Sequence, residues 1–201
     1  MQIDHPAYRL GIFGGSGSGK TTFALKVLAN LPAKVRFIFD PEGEFSHRLG
    51  LPLCQTFSDL DREIGTGWLC FDPFTEFETP DEGFAFFTRY AFELSEKIPG
   101  RKLFMVDELQ EHIDGHKIPP ELSSLVWRGR RRGLDSIFIG QSPNLLNNRV
   151  RLQLTEVVCF QMTDDTALEF PKGFGFDVEE VRRLPQFRFV CRTKRGACVR
   201  G

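Results

Sequence analysis

Nothing in the sequence approaches the run of about 18 apolar residues that reads as a membrane-spanning helix. The opening Met1-Gln2-Ile3-Asp4-His5 also lacks the basic-then-apolar grading of a secretory signal. A place in aqueous solution inside a cell is therefore expected. Cys-x-x-Cys pairs are missing too. The five cysteines, Cys54, Cys70, Cys159, Cys191 and Cys198, are scattered and odd in number, which argues against a zinc ribbon or a disulfide framework and fits a reducing compartment. Tryptophan (2), tyrosine (2) and methionine (3) are scarce, so the 21 phenylalanines supply nearly all the aromatic bulk and are expected mainly in the core. Internal repeats, low-complexity segments and long linkers are absent. A chain of 201 residues is then read as one domain spanning 1–201, bare of appended modules.

A large excess of charge is lacking as well, the formal net charge being −1, but the balance is uneven. Residues 1–100 carry 9 Lys and Arg against 14 Asp and Glu, while residues 101–201 carry 17 against 13. The second half is the side expected to face a polyanion, although asymmetries of this size also occur in proteins that never meet one.

What is present is a regular alternation. Apolar runs of strand length fall at 9–13, 35–39, 68–71, 102–106, 136–139, 157–160 and 187–191. Helical patterns lie between them at about 19–30, 81–98, 120–131, 144–152 and 177–184. This predicts an α/β fold with a mostly parallel sheet and helices on both faces. Phe84, Phe87, Ala91 and Leu94 recur at helical spacing and form the expected core stripe of 81–98. A terminal hairpin is expected to turn at Lys194-Arg195-Gly196-Ala197, with Val190 and Val199 in its arms.

Between the first strand and the first helix stands Gly14-Gly15-Ser16-Gly17-Ser18-Gly19-Lys20-Thr21, followed by Thr22. It satisfies the Walker A pattern in the strand–loop–helix context that the chemistry needs. Glycines let the backbone curl so that successive N–H groups point at phosphate oxygens, and the helix N-terminus adds partial positive charge. Lys20 is expected to reach the β- and γ-phosphates, and the Thr21 hydroxyl to ligate Mg²⁺. The run Leu103-Phe104-Met105-Val106 ends in Asp107-Glu108, which puts two carboxylates at a strand's C-terminal edge, where ligands bind in such sheets. Asp107 is expected in the Mg²⁺ shell and Glu108 beside the attacking water. The same pair read alone would also serve as a loop or helix cap. Together the two motifs predict a P-loop NTPase of the ASCE/RecA-like kind, with ATP and Mg²⁺ as cofactors; no guanine-reading Asn/Thr-Lys-x-Asp motif occurs.

Two further segments carry a family resemblance: Phe39-Asp40-Pro41-Glu42-Gly43-Glu44-Phe45 after the second strand, and Arg128 to Pro143, which runs through Arg130, Arg131, Arg132 and a strand ending at Gln141. With the Walker pair, the sequence resembles the FtsK/HerA superfamily of DNA-pumping ATPases over about residues 9–165. The resemblance implies a homo-oligomeric ring, hexameric as a rule, around double-stranded DNA. It implies that Gln141 is the polar sensor near the γ-phosphate and that Arg130, or else Arg128, is an arginine finger supplied to a neighbour's nucleotide. The arginines equally fit a solvated or DNA-facing basic face. Asp40 and Glu44 are secondary candidates beside the site, and the Asp-Pro-x-Gly turn explains them without chemistry. At about 200 residues the sequence is most similar to genome-packaging ATPases of tailless, internal-membrane bacteriophages. Expected surroundings are therefore the host cytoplasm or the virion, with a capsid or packaging-vertex protein as partner. DNA-phosphate contacts are assigned to Lys117, Arg149 and Arg151, in the segments 112–120 and 144–151. His112 and His116 are read as surface residues rather than metal ligands. Other readings are a small P-loop nucleotide or metabolite kinase and a phage assembly ATPase that extrudes DNA.

Overall fold

The computed structural model describes residues 8–113, 118–193, 196 and 198–201. Nine strands, β1 (Arg9–Phe13), β2 (Val35–Phe39), β3 (Leu53–Cys54), β4 (Trp68–Phe71), β5 (Lys102–Val106), β6 (Leu134–Gly140), β7 (Glu156–Phe160), β8 (Phe189–Thr193) and β9 (Cys198–Arg200), form one sheet in the order β3-β4-β2-β5-β6-β1-β7-β8-β9. The first seven strands in that order run parallel, and β8 and β9 are antiparallel additions at one edge. The helices are α1 (Lys20–Asn30), α2 (Glu44–Leu49), α3 (Phe57–Glu63), α4 (Pro80–Lys97), α5 (Pro120–Arg128), α6 (Asn148–Arg151), α7 (Asp165–Gly173) and α8 (Val178–Arg182).

The central strands are mostly apolar because both faces of the sheet are covered, and side chains alternate between two cores. Leu10, Ile12, Ile38, Leu103, Met105, Ile137 and Ile139 pack with Ala24 and Leu28 of α1 and Phe45 of α2. Phe37, Phe39, Phe104, Val106 and Phe138 face the other way, against Phe84, Phe87 and Ala91 of α4 and Leu122, Leu125 and Val126 of α5. Most of the phenylalanines fill the core: Phe71 stacks on Phe87 with centroids 5.0 Å apart, and Phe39 meets Phe84 edge-on at 5.4 Å. Cys54, Cys70, Cys159 and Cys191 are buried free thiols, and Cys198 is exposed. Among the described residues, no helix is long and apolar enough to cross a membrane.

Several boundaries differ from the sequence expectation. The pattern at 144–152 resolves into a 3₁₀ turn (Pro143–Leu145), an extended Leu146 and the short α6, because Asn147 caps a new start by accepting from the Arg149 N–H at 2.9 Å. The last strand expected at 187–191 begins at Phe189, since Phe187 lies in a tight turn before it. The hairpin arms pair as anticipated, Cys191 opposite Val199. Its turn residues Lys194, Arg195 and Ala197 lie outside the described residues.

The N-terminal edge of the parallel sheet is held by charge. Lys102 opens β5 only 1% exposed, and its ammonium donates to the carbonyls of Ile98 (2.7 Å), Gly100 (2.8 Å) and Arg132. Arg101 pairs with Asp135, which also accepts from the Tyr8 N–H at 2.8 Å. These bonds tie the α4–β5 loop to the arginine-bearing turn Gly129–Arg132 that precedes β6. Replacing Lys102 by Met should leave three carbonyls without their donor and cost about 2–4 kcal/mol of unfolding free energy. Urea denaturation measures it, and a loss within error would mean that the carbonyls find other partners.

Candidate active site

β1 sits between β6 and β7, and the chain leaving its C-terminal end curls into the loop before α1. The curl needs glycine at two points. A Cβ on Gly14 would lie 2.6 Å from the Phe160 Cβ, and Gly19, which caps α1, has φ 109°. The loop is pinned to the end of β7 by the Gly15 N–H donating to the Gln161 carbonyl at 2.9 Å, and closed by the Ser18 N–H on Gly15 at 3.3 Å. Lys20 is 7% exposed, and its ammonium donates to the carbonyls of Gly14 (2.9 Å) and Gly15 (3.0 Å). Burial lowers its pKa; the charges of Glu108, Asp107 and Glu44 pull it back up. The N-terminus of α1 opens onto the same cleft with free N–H groups and partial positive charge.

The cleft has a volume of about 590 Å³ and is bounded by Ser16 to Thr22 on one side and by Asp107, Glu108 and Gln141 on the other. β5 and β6 are adjacent in register, so the residues just past their C-terminal ends arrive together. Glu108 has a left-handed backbone (φ 45°), and its own N–H donates to Asp107 Oδ1 at 2.9 Å. Its carboxylate accepts from the Gln141 side-chain amide at 2.8 Å, from the Gln141 N–H at 3.1 Å and from the Gln110 side chain. Glu108 and Gln141 thus form one hydrogen-bonded unit across two strands. Asp107 is desolvated, and with Glu108 beside it its carboxyl is pushed up to about 6, against the opposing pulls of the Glu108 N–H and Lys20. Thr21 and Asp107 both line the cleft, and a hydroxyl with a carboxylate is the hard-oxygen donor set that suits Mg²⁺ held by few protein ligands.

Asp40, 2% exposed, spends both carboxylate oxygens on the backbone, accepting from the N–H groups of Phe45 (3.1 Å) and Ser46 (2.8 Å). It anchors the start of α2. Glu44, in the first turn, lines the cleft and pairs with Arg48 at 2.7 Å.

Comparison with known proteins gives a consistent fold. A protein-family model described as Poxvirus A32 protein matches residues 2–41, the stretch that holds the glycine loop and Asp40. No curated protein matches the chain in sequence. Among solved structures, the genome packaging NTPase B204 from Sulfolobus turreted icosahedral virus 2, in complex with AMPPCP, superposes with a TM-score of 0.78 at 17% identity, over 98% of this chain and 97% of that one. The DNA-packaging ATPase B204 from Sulfolobus turreted icosahedral virus gives 0.75 at 18% identity, over 97% of each chain. This chain shares the fold of these two proteins. It is the mostly parallel P-loop fold that the motifs led one to expect, and VirB4 of Thermoanaerobacter pseudethanolicus shares it with a TM-score of 0.72 at 10% identity, over 96% of this chain and 88% of that one.

Within this fold the arginines stand apart from the cleft. Arg128 ends α5, and Arg130 and Arg131 are exposed in the turn before β6, so the length of that strand, about 3.3 Å per residue or roughly 20 Å, separates them from Gln141. Arg132 is committed elsewhere, bridging to Glu96 at 2.8 Å and lying 3.8 Å over the Phe92 ring. Arg149 is exposed on α6. Arg151 is half-buried, its guanidinium donating to the Asn144 carbonyl and lying 5.2 Å from the Phe170 ring. Lys117 and His116 lie outside the described residues. His112 is no surface residue: it is buried at the cleft wall, stacked on Phe84 at 4.9 Å and bonded to Asp81 at 3.3 Å.

Sequence reading missed Gln110 and the turn residues Gln186 and Phe187, all of which reach the site or its rim. Only the Leu184-Pro185-Gln186 break before an apolar run hinted at the turn.

The displaced carboxyl of Asp107 gives a pH signature. A carboxyl raised in the folded state stabilises the fold below its unfolded pKa of about 4, and that contribution is lost as pH rises through about 6. Asp107→Asn should therefore be more stable than the parent above pH 6, by about 2–3 kcal/mol at most, with the gap closing toward pH 4. Thermal melts without nucleotide or metal read this directly, and a gap independent of pH would assign the carboxyl an ordinary value.

Proposed function

We propose that the protein is a Mg²⁺-dependent ATPase that drives DNA into a viral capsid, with residues 1–201 acting as one P-loop domain. The observation that carries this reading is the convergence, in one cleft at the C-terminal edge of the sheet, of Lys20 in its glycine loop, the Asp107 and Glu108 carboxylates, and Gln141 bonded to Glu108. Two of the solved neighbours with this fold are described as a genome packaging NTPase, in complex with AMPPCP, and a DNA-packaging ATPase.

In this reading the N–H groups of Gly14 to Thr22 and the Lys20 ammonium cradle the phosphates, Lys20 exchanging the Gly14 and Gly15 carbonyls for phosphate oxygens. Thr21 and Asp107 hold Mg²⁺, which when bound neutralises phosphate charge. Glu108 orients and accepts a proton from the attacking water. Gln141, which holds both Glu108 oxygens between its backbone and side-chain donors, can release the carboxylate when its amide turns to the γ-phosphate. Asp40 acts indirectly, by fixing the start of α2 and hence Glu44 at the rim.

Hydrolysis also needs cationic charge at the transferred phosphoryl group, and an arginine finger is worth several powers of ten in rate. Arg130, with Arg128 as second choice, is exposed on the opposite edge of the sheet and pairs with no acidic side chain among the described residues, so its target is the nucleotide of the next subunit in a ring, hexameric by resemblance. Double-stranded DNA is then gripped through phosphates, with Arg149, Lys117 and the less available Arg151 as contacts, and the ring docks on a capsid vertex in the host cytoplasm.

Phosphate release from ATP at low salt should be stimulated by long double-stranded DNA, and the stimulation should fade as salt is added. Glu108→Gln should bind nucleotide and not turn it over, while Lys20→Ala should lose binding. Turnover indifferent to DNA but raised by a small phosphate acceptor would favour a kinase and sink the packaging assignment. Arg130→Ala should lower turnover roughly a thousandfold. Mixing Arg130→Ala with Lys20→Ala subunits should restore activity at about a quarter of interfaces, those that join an intact finger to an intact cradle in a randomly mixed ring. No recovery on mixing would remove Arg130 from that role.

A further inference from the structure

The last turn before β8 brings an aromatic ring to the nucleotide cleft that no motif marks. The Arg188 N–H donates to the Pro185 carbonyl at 3.0 Å, closing a β-turn whose third residue is Phe187. Phe187 has φ 65°, the conformation for which such a turn ordinarily selects glycine. Its ring is nonetheless 62% exposed, and among the described residues it stacks on no other aromatic side chain. Two bonds fasten this turn to the phosphate loop: the Phe187 N–H donates to the Ser18 carbonyl at 3.2 Å, and the Gln186 side-chain amide donates to the Gly17 carbonyl at 3.3 Å. The ring lies so close to Gly19 that a Cβ there would be 3.0 Å from Phe187 Cδ1. Phe187 is part of the cleft wall, on the same side as Ser18 to Thr22.

A non-glycine residue held at positive φ persists only where its surroundings enforce it, and such residues cluster at active sites and ligand clamps. We propose that Phe187 is the platform on which the base of the bound nucleoside triphosphate stacks, an assignment that rests on the phosphate-cradle reading above. The ring lies next to the glycine loop, within reach of a base whose phosphates occupy that loop. Among the described residues no aromatic ring or cation stacks on it, and base–aromatic stacking requires only an open π-face. The two bonds to Ser18 and Gly17 make platform and phosphate loop one rigid body, so base and phosphates are measured against each other. Stacking reads the size of the π-face and not its hydrogen-bonding edge. Purine triphosphates are therefore held better than pyrimidine triphosphates, and ATP and GTP are held alike as far as this residue decides.

The variant that tests this keeps the backbone and removes the ring. Phe187→Gly suits φ 65° better than phenylalanine does, so the turn and its bonds to the phosphate loop should persist. Affinities for ATP and for inorganic tripolyphosphate, which has the phosphates and no base, are measured by calorimetry on the full chain with Mg²⁺. Phe187→Gly should weaken ATP roughly tenfold, as loss of one base stack predicts, and leave tripolyphosphate unmoved. Phe187→Trp should keep ATP binding, and GTP should follow ATP in every variant. Unchanged ATP affinity in Phe187→Gly would overturn the platform, including the case where the ring serves only a neighbouring subunit. Equal losses for ATP and tripolyphosphate would overturn it too, by making the ring a prop for the loop. Failure of the parent chain to bind tripolyphosphate would instead bring down the cradle reading beneath it.

Discussion

Burying the ammonium of Lys20 obliges the chain to supply both acceptors and counter-charge at one spot, and much of the site follows from that demand. The acceptors are carbonyls of its own loop, Gly14 and Gly15, so the loop must curl until those oxygens face the side chain that follows them. The same curl leaves the α1 N–H groups open at the helix N-terminus. The counter-charge comes from Asp107, Glu108 and Glu44, which reach the cleft from two other strand ends. Asp107 is desolvated in this cleft and has Glu108 beside it, and both raise its carboxyl. A ligand that brings both anionic oxygens and a divalent cation relieves the two demands at once.

The parallel sheet sorts function by edge. Every loop that leaves a strand's C-terminal end among β1, β2, β5 and β6 contributes to the cleft, whereas the N-terminal edge collects Arg9, Lys102, Arg101 and the arginine turn. The uneven charge of the two sequence halves is in part a shadow of this arrangement. Some of those cations are structural: Arg9 donates to the Val126 carbonyl, and Arg132 is held by Glu96 and Phe92. Arg128, Arg130 and Arg131 remain in solvent on an edge that cannot reach its own cleft, which is the physical basis for assigning them to another molecule.

What could be read from sequence divides along the same lines. The glycine loop is legible because it is built from consecutive residues, so that part of the cleft is contiguous in the chain. Asp107, Glu108 and Gln141 are legible because each ends an apolar run, and a parallel sheet turns that ending into a position. α2, α3 and α7 were not anticipated. α2 is six residues started by Asp40 within an Asp-Pro-x-Gly turn, and α7 contains Pro171, which reads as a breaker. α3 does carry a signal, a capping box of Thr56 with Asp59 in place of the more usual Glu or Gln. The two-residue β3 offers no periodicity at all. Gln186 and Phe187 were illegible because their place depends on how β8 docks against β7, more than 160 residues after the loop they touch.

Backbone strain marks the site independently of any motif. Among the described residues only Glu108 and Phe187 adopt positive φ without being glycine, and both line the cleft. Neither conformation is favoured by its own side chain, so each must be enforced by surroundings. For Glu108 the enforcement is visible in the bonds from Gln110 and Gln141 that aim its carboxylate across to β6. For Phe187 it is the pair of bonds to Ser18 and Gly17 that draws the turn against the phosphate loop. A chain that tolerates left-handed strain at two non-glycine positions, and at both of them holds a side chain toward the same cleft, spends stability where orientation matters. The proposed nucleotide, with its terminal phosphate at Glu108 and its base at Phe187, would account for both orientations together.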